Sequence, residues 1–142
     1  MTVHAATSVV DAVGSFARAV AGVASGELVA SCLWGDEPGG VFIDLAMPRP
    51  GHVLLVMHEL AMPGWLTPED EPAWLPVRGR PVLSTRVPAL TFLHEVVSAL
   101  GALEPLAGNE TGIRGWGHPF PVESATRIRE GMAELHRRTR FR

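Results

Sequence analysis

Residues 27–60 carry three apolar runs divided by connections too short to hold a crossover. The runs are ELVASCLW (27–34), VFIDLAMP (41–48) and HVLLVMHEL (52–60), with the β-branched and aromatic content of strands. The first two are joined by Gly35-Asp36-Glu37-Pro38-Gly39-Gly40 and the last two by Pro48-Arg49-Pro50-Gly51, which is turn chemistry throughout. Parallel strands need a connection of roughly a dozen residues or more. These runs are therefore predicted to form an antiparallel meander. If the second connection closes a tight hairpin, Met47 faces His52, Leu45 faces Leu54, Ile43 faces Val56 and Val41 faces His58. That register gathers Val41, Ile43, Leu45, Met47, Leu54 and Val56 on one face, with His52 and His58 at its two ends. Phe42, Asp44, Ala46, Val53, Leu55, Met57 and Glu59 then share the other face.

Helical patterns flank the meander. In SVVDAVGSFARAVAGVAS, Val9, Val13, Phe16, Val20 and Val23 recur at helical spacing, with Thr7 or Ser8 placed to cap the start and Gly26 to end it. Gly14 and Gly22 each cost such a helix about 1 kcal/mol relative to Ala, so packing must hold it. A fourth strand is predicted over RPVLSTRV (80–87), short or at an edge because of Pro81 and Pro88. PALTFLHEVVSALGAL follows, its Leu90, Leu93, Val96, Val97, Leu100 and Leu103 forming a broad apolar stripe. Glu104 to Pro121 reads as an ordered Gly- and Pro-rich loop. The last helix, VESATRIREGMAELHRR, carries a narrow stripe of Ala125, Ile128, Met132 and Leu135, with Glu123–Arg127 and Glu134–Arg138 as i,i+4 pairs. The order predicts an α+β fold: an N-terminal helix, an antiparallel sheet of three to four strands, a central amphipathic helix and a C-terminal helix. At 142 residues, residues 1–142 are expected to form a single domain.

Composition narrows the function classes. Hydrophobic residues make up 46% and charged residues 19%, the balance of a packed globule. The net charge is -3, and all 12 basic residues are Arg. They are scattered apart from the tail Arg137-Arg138-Thr139-Arg140-Phe141-Arg142, which argues against a nucleic-acid partner. The absence of Lys and Gln and the single Asn109 suggest the codon bias of a GC-rich, actinobacterial genome. Cys32 is the only cysteine; it lies in an apolar run and is expected to be a buried thiol in a reducing, cytoplasmic setting. No apolar run approaches the ~20 residues of a membrane span, and the first residues lack the basic start of a signal peptide.

The candidate chemistry is thin. His58-Glu59 and His94-Glu95 are tempting acid–base or metal pairs. Neither extends to the H-E-x-x-H pattern that puts two zinc ligands on one helical face, since no second His follows either pair at i+4. His52 and His58 are six residues apart along a strand, roughly 20 Å, too far to share a metal. No metal site and no cofactor are expected. Ser31, Ser84 and Ser98 lie within regular elements with no nucleophile elbow. Gly112-Ile113-Arg114-Gly115-Trp116-Gly117 follows no strand pattern, so it is not a dinucleotide loop. Asp44 and Glu59 share a face in the predicted register and are a candidate carboxylate pair.

Two loops combine tryptophan with acidic residues: Trp34-Gly35-Asp36-Glu37-Pro38, and Trp65 to Trp74 with Glu69, Asp70 and Glu71 between. Tryptophan ringed by charge suits an interface anchor; the competing reading folds the indoles back over core edges. In GWGHPFP (115–121), Gly115 and Gly117 permit turns about Trp116, while Pro119 and Pro121 hold His118 and Phe120 extended. This predicts a strap with Trp116 and Phe120 packed inward. The WGHPFP stretch before a last helix, with the WGDEPGG turn, resembles small actinobacterial proteins that look like immunity proteins of bacterial toxin systems. The resemblance implies a binding protein that neutralises a cognate toxin or effector by occluding its active site. Trp34, Asp36, Glu37, Trp65, Glu69, Asp70, Glu71 and Trp74 would form its contact surface. The alternative is a small isomerase, cyclase or hydrolase of natural-product metabolism, with His58, Glu59, His94 or His118 as acid–base groups.

Overall fold

The computed structural model describes residues 11–36, 39–49, 51–61, 77–108, 112–113 and 118–141. Helix α1 (Ala12–Ala24) leads into four strands, β1 (Val29–Asp36), β2 (Gly39–Arg49), β3 (His52–Ala61) and β4 (Val77–Pro88). Helix α2 (Ala89–Leu103), a short 3-10 turn (Glu104–Leu106), a two-residue ladder of β5 (Ala107–Gly108) with β6 (Gly112–Ile113), and helix α3 (Val122–Arg140) complete the order. The fold is α+β, and the sheet is an antiparallel meander in the order β1-β2-β3-β4.

The hairpin register departs from the predicted one by a residue. Leu45 pairs with Leu55, Ile43 with Met57 and Phe42 with His58, and the ladder shifts between Ala46 and Arg49. The extra residue falls at Met47-Pro48, where proline supplies no N–H to the ladder and a bulge absorbs the mismatch. A one-residue slip exchanges the faces of a strand. Val53, Leu55 and Met57, not Leu54 and Val56, therefore join Ile43 and Leu45 in the core.

Helix α1 begins at Asp11, whose carboxylate accepts the Gly14 N–H at 2.8 Å; Thr7 and Ser8 lie outside the described residues. The helix is more deeply buried than its valine stripe suggests, with Ala12, Ala17, Ala19 and Ala21 inside alongside Val20 and Val23. It lies chiefly over β1, α2 meets β3 and β4, and α3 packs across α1 and α2. A methyl group on Gly131 of α3 would stand 2.8 Å from the Cβ of Ala24, so glycine lets the two helices meet backbone to backbone. Ile128, Ala125, Leu93 and Leu45 close the core between the helices and the sheet. Strand β4 reaches Pro88, and α2 starts directly after it without a side-chain cap. The Ala89 N–H instead bonds the Gly51 carbonyl at 2.8 Å, tying α2 to the β2–β3 turn. Phe120 packs against the core beside Ala12 and Trp34, which supports that half of the strap; Trp116 lies outside the described residues. Among the described residues no helix is long and apolar enough to cross a membrane.

Candidate functional site

Helices α1 and α2 pack on one face of the sheet, and α3 lies across those two helices. The other face, referred to below as the outer face, carries Ser31 and Leu33 of β1, Phe42, Asp44 and Ala46 of β2, and Leu54, Val56 and His58 of β3. That assignment follows from the strand alternation and the observed pairing. Among the described residues no helix covers this face. Asp44 is the one ionisable side chain in the run VFIDLAM, and the fold builds a polar network around it.

Ser31 stands directly opposite Asp44 in the β1–β2 ladder and its hydroxyl donates to Asp44 Oδ1 at 2.5 Å. Arg78 enters from β4, where two register shifts beyond Met57 place it opposite Leu60. Its side chain spans β3 and grips the carboxylate with both arms of the guanidinium, Nε to Oδ2 and Nη2 to Oδ1, each at 2.7 Å. Nη2 also donates to Ser31 Oγ at 3.1 Å, and the guanidinium lies 4.2 Å from the centre of the Phe42 ring. His58 completes the cluster, with Nε2 3.2 Å from Asp44 Oδ2 and Nδ1 3.4 Å from the Gly79 carbonyl. Four strands thus contribute to one site.

The electrostatics follow from these contacts. The bidentate hydrogen bonds from Arg78 hold the Asp44 carboxyl below its usual range, opposed by partial burial and assisted by Ser31, the Arg78 charge and His58. The same hydrogen bonds raise Arg78 further above its already high value. On the core side of β1, burial and then the Asp44 charge push the Cys32 thiol up to about 11. Chemically, Asp44 is a poor base, since its oxygens already accept hydrogen bonds from Ser31 and from both arms of Arg78. The Ser31 hydroxyl proton is committed to a carboxylate of lowered basicity, and both ring nitrogens of His58 face oxygen atoms. The cluster is a charge-balanced network whose polar groups are held by one another.

The residues singled out from sequence scatter. Trp34 is half-buried on the core side of β1 and packs edge-on against Phe16, centroids 6.2 Å apart; its indole folds back over the core. Asp36 ends β1 opposite Gly39. Glu37, Trp65, Glu69, Asp70, Glu71 and Trp74 lie outside the described residues. His58 belongs to the network, but Glu59 is exposed and held by Arg80 at 2.9 Å. Glu59 pairs across from Val41 while Asp44 pairs across from Val56, so these two carboxylates lie on opposite faces. His94 is exposed on α2, in the helical layer, and His118 is half-buried ahead of α3. The enzyme candidates are not brought together. Among the described residues no three His, Cys, Asp or Glu side chains gather in a metal-binding group.

No motif marks Arg78 or Ser31 as site residues. The available signal is one polar residue at an alternating position in each of two apolar strands, Ser31 in LVASCLW and Asp44 in VFIDLAM. Two hollows border other parts of the fold, and one of them reaches Ser31. A groove of about 730 Å³ lies beside the contact of α1 with α3, with Leu28, Met47 and Leu135 among its walls. A trough of about 450 Å³ runs beside β1. The chain matches no protein-family model, no curated protein and no solved structure.

Proposed function

We propose that the protein is an immunity-like binding protein that neutralises a cognate toxin or effector by covering its active site, and that the outer face of the sheet is its contact surface. The observation that carries this reading is the Asp44–Arg78–Ser31–His58 network, set among Leu33, Phe42 and Val56 on a face that no described helix covers. A guanidinium fixed over an aromatic ring by a bidentate carboxylate presents the residue types that dominate interface energetics, already ordered before the partner arrives. Preorganisation matters because each long side chain immobilised on binding costs about 0.5–1.5 kcal/mol. The acidic run Glu69-Asp70-Glu71 lies in the sequence that joins β3 to β4, and with Asp36 and Glu37 it would favour a cationic partner and speed the encounter.

The test is capture from the producing organism with the wild-type chain and with Phe42→Ala and Arg78→Glu, each checked for retained fold by circular dichroism. A single protein should come down in stoichiometric amount with wild type and be lost with both variants. Equal capture by all three chains would overturn the assignment of this face. Repeated absence of any protein partner, together with turnover of a small molecule that depends on His58, would return the chain to the enzyme class.

A further inference from the structure

The two edges of the sheet are protected very differently. Strand β4 carries Arg78, Arg80 and Arg86, has Pro81 and Pro88 in its length, and changes register twice against β3. Prolines, charges and bulges are the devices that keep an edge from pairing with another chain. Strand β1, the other edge, has none of them from Val29 to Gly35: VASCLWG contains no proline and no charge, and its pairing to β2 is unbroken over eight residues. Leu28 and Val29 at its start are 68% and 70% exposed.

The trough beside β1 shows that this edge is open. Ala30, Ser31, Cys32 and Leu33 all line it. Successive side chains of a strand point to opposite faces, so four consecutive residues can line one hollow only where the backbone edge itself forms the wall. Among the described residues no strand pairs with that edge. Ser15, Arg18 and Ala19 of α1 form the opposite wall, and Glu27 closes one end. Arg18 and Glu27 are both exposed. Among the described residues Arg18 bonds only the neutral Ser15 hydroxyl, and neither Arg18 nor Glu27 forms an ion pair.

We propose that β1 pairs antiparallel with β1 of a second copy about a two-fold axis, joining two sheets into one of eight strands. Two features select a second copy. A trough holding one cation and one anion is self-complementary under a two-fold axis, which offers two reciprocal Arg18–Glu27 pairs. The guarded β4 edge also blocks head-to-tail β1–β4 pairing, so assembly stops at a closed dimer instead of growing into a filament. The dimer leaves both outer faces open and on one side of the continuous sheet, so a partner would bind two to a dimer. The inference does not rest on the proposed function, because it is tested without any partner.

Sedimentation equilibrium over a range of concentrations should give a species of twice the 15.2 kDa chain mass. Arg18→Glu and Glu27→Arg alone should each raise the dissociation constant by about tenfold, as two like-charge contacts replace two attractive ones. The double reversal should restore it. Amide exchange at Ala30–Leu33 should slow as protein concentration rises. A mass of 15.2 kDa at every concentration would overturn the proposal. So would a dimer whose β1 amides exchange at a rate independent of concentration, or a double reversal that dimerises no better than the single variants.

Discussion

Gly131→Ala is expected to destabilise the protein although it places the best helix former within a helix. The added methyl carbon would stand 2.8 Å from the Cβ of Ala24 and 2.9 Å from its carbonyl carbon, and would press on the carbonyl oxygen. Carbon atoms pack at about 3.5–4.0 Å, so α3 must retreat from α1 by roughly 1 Å at this point. The group in the way belongs largely to backbone, which cannot swing aside as a side chain can. A gap of that size forfeits a quarter to a half of each dispersion contact along the interface, and overpacked sites of this kind typically cost about 1–3 kcal/mol. The gain in helix propensity returns about 1 kcal/mol. The net expectation is a loss of up to about 2 kcal/mol. Gly101→Ala in α2 is the matched control: nothing lies within 4 Å of the added carbon, so only the propensity gain remains, about 0.5–1 kcal/mol of stabilisation. Urea unfolding followed by circular dichroism reads both, and the midpoints should move in opposite directions at unchanged slope. If Gly131→Ala matches Gly101→Ala within about 0.5 kcal/mol, the close α1–α3 approach is wrong.

Two further outcomes follow from the network and the thiol beneath it. The folded state holds the Asp44 carboxyl below its unfolded value of 3.8, so its contribution is present above that pH and is lost as pH falls through the folded value. Asp44→Asn should lower stability at neutral pH by about 1 kcal/mol and flatten the acid limb of a stability–pH curve; an unchanged acid limb would count against the Arg78 clamp. Cys32 should react with a thiol reagent at mildly alkaline pH far more slowly in the native protein than after unfolding, because burial pushes its ionisation up to about 11. Equal rates in the two states would show that the thiol is open to solvent.

The α+β layout was legible because its signals are local and agree with one another. Three strand-forming runs with connections too short for a crossover leave little but a meander, and Ile128, Met132 and Leu135 do line the inner face of α3 as their spacing predicts. Helix α1 is less legible. Its valine stripe suggests one buried face, whereas Ala17, Ala19 and Ala21 are buried on several sides; small residues carry a weak hydrophobic signal and mark close packing only once the neighbouring helix is known. The expected Glu123–Arg127 pair gives way to a tertiary contact, with Arg127 bonding Ser25 of the α1 turn at 3.1 Å. Glu134–Arg138 does form, because both residues stay within one exposed helix.

The site is hidden by a single residue of register. An unbulged hairpin places Asp44 on one face with Glu59 and suggests a carboxylate pair. The bulge at Met47-Pro48 turns β3 over relative to β2, and Asp44 then shares its face with His58 instead. Sequence marks that place only by Pro48, which signals lost pairing without saying which strand holds the extra residue. Arg78 is still harder to foresee. It lies 34 positions from Asp44, and its reach depends on two later shifts in the β3–β4 ladder. Apolar alternation determines which strands form a sheet, but bulges determine which polar residues meet on its far side. In this chain the chemistry depends on the second of these.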